Sequence, residues 1–309
     1  MSARLSPVSA IVRNELRALT RERTFTMLLG IFLAMTFFSV YIGWSTRTTT
    51  NAIYRASVAY LGTQGATHVP PNPLSGVSPL LIFDNMLIYI LLVGALLAIV
   101  IGHRSFIRER KAGVLPLIFA RPVSRPQYIL AKLCGICLAL AAIIGATYIV
   151  SALAAVFLPA LRLTAAEFFR LLDFYAVSLL YLCFFAFVGL LFSVVAGSES
   201  TTLFLPILVW VAAVFILPEL TLGSNPVALL NPVTLASAAP DQGQFFTVMR
   251  AGLGWLSVGQ FYTQSGLNAL GAADGGAAAL PALFIYNGAV AWAAAAALRR
   301  HAGTGALTL

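Results

Sequence analysis

Six long apolar stretches, separated by polar or Gly- and Pro-containing segments, organise the sequence. They cover residues 25–44, 85–101, 130–157, 174–196, 202–217 and 280–298. A helix that crosses the roughly 30 Å hydrocarbon core of a bilayer needs about 20 mainly apolar residues. The pattern therefore predicts an all-α integral membrane protein, in which residues 1–309 form one transmembrane domain with six spanning helices.

An amphipathic helix is predicted ahead of the first span, over residues 7–23. Apolar side chains recur there at helical spacing, and Arg13 and Arg17 lie on the opposite face. Such a helix lies in the headgroup plane with its arginines toward anionic lipid. Glu15 falls inside the apolar stripe, where a carboxylate needs a partner. Two explanations stay open, namely a locally paired or snorkelling acid and a contact to another subunit.

The segment between the second and third spans, residues 103–129, combines basic and apolar positions. Arg108 to Lys111 extend the second helix, and Gly113 is placed to end it. An apolar run over 114–120 follows, too short to cross a membrane, and Pro122 closes it. Charge alone would indicate a loop that only fixes topology. An exposed apolar run, however, usually marks a partner surface or a membrane contact.

Two capping-box patterns predict where helices begin. Ser124 precedes Gln127 by three residues ahead of the third span, and Thr164 precedes Glu167 in the same way ahead of the fourth. In this pattern the two side chains satisfy backbone N–H groups that the first turn of a helix leaves unpaired. We therefore expect new helices to start at both places.

The distribution of Lys and Arg predicts that both termini are cytoplasmic, because inner segments of membrane proteins carry the excess of these residues. That topology leaves residues 45–79 and 218–279 as two large outer loops. Within the second, the apolar stretch 245–270 suggests a re-entrant or interfacial helix pair. The inner segments then hold fourteen basic residues and the outer segments five, the inner ones being Arg4, Arg13, Arg17, Arg21, Arg23, Arg104, Arg108, Arg110, Lys111, Arg121, Arg125, Lys132, Arg299 and Arg300.

Composition narrows the possible functions further. The chain is 60% hydrophobic and 9% charged, whereas an ordinary globular domain carries about a quarter charged residues. This excludes an ordinary soluble enzyme, and the hydrophobicity excludes a disordered chain. In a membrane protein, an excess of basic residues such as the formal charge of +9 reflects how the chain is oriented across the membrane. No nucleic-acid partner is therefore expected.

Several kinds of catalytic site are missing from the sequence. The only two lysines, Lys111 and Lys132, do not follow a glycine, so the chain has no phosphate-binding P-loop for ATP hydrolysis. Three scattered histidines do not make a zinc site. The span centres carry no charge, which weighs against transport driven by protons or sodium. We expect neither an enzyme nor a bound cofactor.

Cys134 and Cys137 form a Cys-x-x-Cys pair inside the third span. In a soluble cytosolic fold this spacing would indicate redox chemistry. Apolar surroundings blunt the reactivity of a thiol, so packing is the favoured role. Binding of a soft metal and redox chemistry are the minor alternatives.

The cytoplasmic segment resembles the signature of permease subunits of the type-2 ATP-binding-cassette (ABC) transporters. In that family it reads roughly E-R-x-x-G-x-L-x-x-L-L-x-x-P-V-S-R between spans two and three. Arg13-Asn14-Glu15-Leu16-Arg17 is similar to the start of the family's interfacial elbow helix. The residues that match the signature are Glu109, Arg110, Gly113, Leu115, Pro122, Val123, Ser124 and Arg125.

This resemblance implies a permease of the bacterial inner membrane that works with two copies of a separate ATPase. Residues 108–125, including Arg108, Lys111 and Arg121, would dock on that ATPase, which would bind ATP and Mg²⁺. It also implies a second permease copy, in a homodimer or pseudo-dimer, and transport in the direction of export.

Asn231-Pro232-Val233 is similar to permeases that serve copper-centre maturation of nitrous-oxide reductase, and the outer loops could meet a periplasmic partner. Two other classes of function remain open. One is an ion-coupled secondary transporter that works alone. The other is a non-transporting membrane scaffold for a cytosolic protein.

Overall fold

A computed structural model describes residues 7–65, 70–113, 124–158, 161, 163–222, 244–272 and 279–301. Within these ranges the regular structure is entirely helical, which confirms the predicted all-α class. The helices are α1 (Pro7–Arg21), α2 (Arg23–Thr63), α3 (Pro79–Lys111), α4 (Arg125–Phe157), α5 (Ala165–Val195), α6 (199–222), α7 (Gln244–Leu253), α8 (Val258–Ala269) and α9 (Ala279–His301).

Six helices of the described ranges, namely α2 to α6 and α9, are long and apolar enough to cross a membrane. They contain the six predicted stretches, so the predicted number of spans is confirmed. Two of them are not regular throughout. In α3 a 3₁₀ turn begins the helix and Ile90–Gly94 is π-helical, and in α6 the segment Ala212–Ile216 is π-helical.

The first predicted outer loop, residues 45–79, needs correction, because α2 does not end with its apolar stretch. The helix runs over 41 residues and ends at Thr63. Hydropathy detects where residues suit a membrane interior, but nothing between Trp44 and Gly62 breaks a helix. Polar residues therefore continue the helix past the apolar stretch. In the second predicted outer loop, α7 and α8 lie where the apolar stretch 245–270 suggested a pair of helices, and both are too short to span.

Helix α5 is the centre of the bundle. In its most apolar window 78% of residues are buried, against 22% in α2, α6 and α9. It packs against α3, α4, α6, α8 and α9. Gly102 of α3 lies against the backbone of Ala186, and Gly189 of α5 lies against the backbone of Ile99. These two glycines let the helix axes approach closely, as small residues do in membrane bundles.

Candidate functional site

Three helix ends meet at one end of the bundle, which we name the α1 end. The chain bends at Glu22, whose backbone is extended, and this separates α1 from α2. Helix α3 ends at Lys111, and Gly113 follows with φ of +64°, a conformation that suits glycine. Helix α4 begins after the capping box of Ser124. The chain between α3 and α4 thus leaves and re-enters the described structure at this end.

Lys132 is the centre of a charged site at the α1 end. Its side chain is fully buried. Its ammonium group donates hydrogen bonds to Glu15 Oε2 at 2.6 Å and to the carbonyl oxygen of Ser105 at 2.7 Å, and it forms an ion pair with Glu109 Oε1 at 2.7 Å. Three oxygens thus surround the three N–H donors of this buried charge.

Glu15 joins α1 to both spanning helices. Its carboxylate is 2% exposed and contacts Lys132, the hydroxyl of Ser105 at 2.8 Å and Arg108 Nη2 at 3.3 Å. A Cβ added to Gly135 of α4 would lie 2.7 Å from Glu15 Cγ, so this glycine makes room for the carboxylate. Of the two explanations for an acid in the apolar stripe of α1, the structure supports local pairing.

A second layer surrounds these groups. Arg108 Nη1 lies 2.7 Å from Glu22 Oε1, and Arg104 Nη1 lies 3.6 Å from Glu22 Oε2. The buried Tyr128 donates its hydroxyl hydrogen to Glu109. We name the six ionised residues of both layers the charge cluster: Glu15, Glu22, Arg104, Arg108, Glu109 and Lys132.

The charge cluster is electrically balanced, with three carboxylates and three cations. Isolated charges are expensive to bury, and a buried pair persists only when its geometry and hydrogen bonds are good. Removing one partner of such a pair costs about 3–5 kcal/mol, because the other charge stays buried. The cluster therefore holds α1, α3 and α4 in one arrangement more specifically than apolar packing would.

The predicted coupling residues separate into distinct environments. Arg108 and Glu109 belong to the charge cluster, and Arg110 donates a hydrogen bond to the carbonyl of Ala196 at the end of α5. Lys111 and Gly113 are exposed. Ser124 caps α4. Outside the described residues lie Leu115, Arg121, Pro122, Val123 and the side chain of Arg125. Of the predicted elbow-helix residues, Arg13 and Arg17 are exposed on α1, and Glu15 belongs to the charge cluster.

Sequence reasoning did not identify Lys132, Tyr128 or Ser105 as members of a site. A signal was nevertheless present. Glu15 interrupts the apolar stripe of α1, and Lys132 lies in the apolar third span. Two opposite charges that each sit where a charge is unfavourable are expected to pair. This complementarity would have predicted that α1 packs on α4.

The cysteines are arranged differently from the Cys-x-x-Cys spacing. Cys137 Sγ lies 3.5 Å from Cys183 Sγ of α5, so the closest thiol contact joins two helices. All three cysteines are free. In the described part of the chain no three His, Cys, Asp or Glu residues are grouped to hold a metal ion.

Comparison with known families agrees with this architecture. The sequence matches the family described as "ABC-2 family transporter protein" over residues 9–298, nearly the whole chain. No curated protein matches it. The ABC-2 family comprises membrane components of ABC transporters and so implies an ABC ATPase as partner. With its six helices able to cross a membrane, this chain belongs to the ABC-2 transporter family as a multi-pass membrane permease.

Proposed function

We propose that the chain is the permease subunit of a bacterial inner-membrane ABC exporter. Two copies of a separate ATPase subunit bind ATP and Mg²⁺ and supply the energy, and two copies of this chain form the membrane path. The family match supports the transporter class. The excess of Lys and Arg in the segments that flank the α1 end supports a cytoplasmic position for that end and for both termini.

The charge cluster is the observation that carries the proposed mechanism. Segment 114–123 connects the end of α3 to the start of α4, and both ends are tied to α1 through Glu15, Glu109 and Lys132. A force on the segment would then move the three helices as one body. A conformational change requires an element that can adopt two positions, and here that element is the body formed by α1, α3 and α4. A partner that binds one position better shifts the equilibrium toward it.

The contacts of the charge cluster separate two roles within residues 108–125, namely holding the helices together and docking on the ATPase. Arg108 and Glu109 point into the charge cluster, and we assign them to holding the helices together. We assign docking on the ATPase to the exposed Lys111 and Gly113, to Leu115, Arg121, Pro122 and Val123 of the connecting segment, and to Ser124 and Arg125 at the start of α4.

The experiment that tests docking reverses charge outside the charge cluster. The variant Lys111→Glu with Arg121→Glu is co-expressed with the ATPase subunit, purified in detergent and reconstituted. We expect the chain to insert normally but to lose co-purification of the ATPase and stimulation of its ATP hydrolysis. The matched control is Arg299→Glu with Arg300→Glu, which reverses two charges at the exposed end of α9. Equal losses in the two variants, or none in either, would refute docking through this segment.

The two alternative classes of function predict different results. An ion-coupled secondary transporter would transport without ATP when purified alone. The carboxylates of Glu15 and Glu109 do not favour it, because both are already paired with Lys132 and Glu15 is also paired with Arg108. A non-transporting scaffold would bind the ATPase without changing its hydrolysis rate, and the same reconstitution distinguishes that outcome.

The substrate is not part of the proposal. The resemblance to permeases of nitrous-oxide reductase maturation rests on Asn231-Pro232-Val233, which lies outside the described residues, and the family description names no cargo. The exposed outer part of α2, beyond Trp44, is where we would look for a periplasmic partner.

A further inference from the structure

A cleft opens beside the charge cluster, between α3 and the first turns of α6. It consists of two adjoining cavities of about 610 and 670 Å³, which share His103 and Leu203 in their walls. His103 Nδ1 lies 3.0 Å from the hydroxyl of Ser193, so the floor of the cleft is fixed to α5. Cavities of this size are typical of small-molecule sites.

One part of the cleft is cationic. Arg104, Arg108 and Lys111 line it, and Glu22 is the only acidic residue of the described chain that does so. The Arg104 side chain is 50% exposed and lies 3.6 Å from Glu22, a longer separation than the 2.7 Å between Glu22 and Arg108. Arg104 Nη1 also donates to the hydroxyl of Thr24. Its other N–H groups can donate to an anionic oxygen without breaking the 2.7 Å ion pair between Glu22 and Arg108.

The adjoining part of the cleft is mainly apolar. Leu203, Phe204 and Ile207 line it, with Ser200 and Thr201 at its edge where α6 begins. Phe204 is 59% exposed. A ligand that covers both parts must carry an anionic head and an apolar tail.

We propose that this cleft binds an anionic phospholipid, with the headgroup phosphate at Arg104 and Lys111 and an acyl chain along Phe204 and Ile207. Arginine and lysine are the usual partners of phosphate oxygens, and basic pockets between membrane helices bind anionic headgroups. A free phosphate would leave the apolar wall uncovered. A second copy docked here by two-fold symmetry would bring identical cationic surfaces together.

Native mass spectrometry of the full-length chain in detergent tests the proposal. The chain is titrated with dioleoyl phosphatidylglycerol and, separately, with dioleoyl phosphatidylcholine, which differ in charge but not in acyl chains. We expect one phosphatidylglycerol to bind about 25-fold more tightly than phosphatidylcholine. Arg104→Gln with Lys111→Gln should remove this preference, at about fivefold for each cation.

Two further variants keep the test specific. Arg299→Gln with Arg300→Gln removes two exposed cations elsewhere and should leave the preference intact. Phe204→Ser should weaken both lipids while preserving their ratio, because it alters only the apolar wall. Equal loss of preference in the Arg299 and Arg300 variant would overturn the proposal in favour of diffuse surface charge.

Two other outcomes would assign the cleft to a different occupant. Displacement of phosphatidylglycerol by millimolar inorganic phosphate, together with no effect of Phe204→Ser, would mean a simple anion site. If dimers of the chain bind no lipid and Arg104→Gln with Lys111→Gln dissociates them, the cleft is an interface between two copies. Either result contradicts lipid binding, and neither depends on the ATPase or on the proposed transport.

Discussion

The two halves of the bundle use polar groups in opposite ways. At the α1 end, ionised groups form the balanced charge cluster, and Lys132 makes two hydrogen bonds and an ion pair to Glu109. In the other half, the buried polar groups are neutral. The rings of Tyr181 and Tyr262 stack with centroids 4.3 Å apart, and the Tyr181 hydroxyl donates to the carbonyl of Leu91 at 2.9 Å.

The neutral half also contains the irregular backbone. Leu91 lies in the π-helical part of α3, and Ala213 lies in that of α6. Gly259 of α8 sits between them, since a Cβ added there would lie 3.2 Å from the Ala213 oxygen and 3.5 Å from Leu91 Cδ1. Helix α8 thus touches both π segments, which in general occur at functional sites.

Hydrogen bonding in the neutral half is also less complete. The buried side-chain oxygens of Ser257, Gln260 and Ser265 on or next to α8 have no partner within the described residues. Losing one neutral hydrogen bond costs less than leaving a buried charge without its partner. From this comparison we expect the α1 end to move as a unit and the half around α8 to rearrange more easily.

The largest expected effect comes from removing the central cation of the charge cluster. Lys132→Met leaves the buried Glu15 and the partly buried Glu109 without their shared partner, and we expect a loss of about 3–5 kcal/mol in stability. Thermal unfolding in detergent measures it. The control is Arg299→Met, at the exposed end of α9, for which we expect a change within about 0.5 kcal/mol. Similar unfolding temperatures for the two variants would contradict the importance of the cluster.

A smaller loss of stability is expected when an added methyl group crowds the charge cluster without removing any of its charges. In Gly135→Ala the new methyl group meets Glu15 Cγ, and we expect a loss of about 1–3 kcal/mol. Gly145→Ala on the same helix is the matched control, because a Cβ there has no neighbour within 4 Å. That variant should be neutral or slightly stabilising, since alanine favours helix formation. Equal stability of both variants would mean that α1 does not pack on α4 as described.

In the neutral half, Tyr262→Phe removes the hydroxyl that lies 3.1 Å from Ser178 Oγ but keeps the stacked ring. We expect a loss of about 0.5–1.5 kcal/mol, the range for one neutral hydrogen bond. Tyr54→Phe, which affects an exposed hydroxyl bonded to Pro70, is the control and should change little. A loss for Tyr262→Phe as large as that for Lys132→Met would remove the contrast between the two halves.

The smallest effect is expected at the cysteines. Replacing Cys134 and Cys137 with Ala should leave ATPase stimulation unchanged, because both thiols serve packing. Thiol labelling under denaturing conditions, before and after treatment with diamide, checks the geometry independently. The 3.5 Å contact predicts that oxidation joins Cys137 to Cys183 and leaves Cys134 free. A bond between Cys134 and Cys137 instead would contradict the observed orientation of α4.

Local features of the fold were predicted from the sequence, whereas contacts between distant residues were missed. Hydropathy identified the six spans, and the capping boxes located the starts of α4 and α5. The continuation of α2 to Thr63 was missed because hydropathy carries no information on where a polar helix stops. Glu15 was recognised as a misplaced charge, but its partner Lys132 lies 117 residues away in sequence. The π segments of α3 and α6 left no pattern that we could recognise.

The most direct test of the central claim measures whether α1 and α4 move together. Spin labels are placed at the exposed positions Arg17 and Leu130, in a chain whose native cysteines are replaced by Ala and diluted with unlabelled chain. Pulsed electron paramagnetic resonance then gives the distance between labels in the complex with the ATPase, with and without trapped nucleotide. We predict the same narrow distribution in both states. A shift or broadening on nucleotide binding would show that the charge cluster does not hold the two helices as one body.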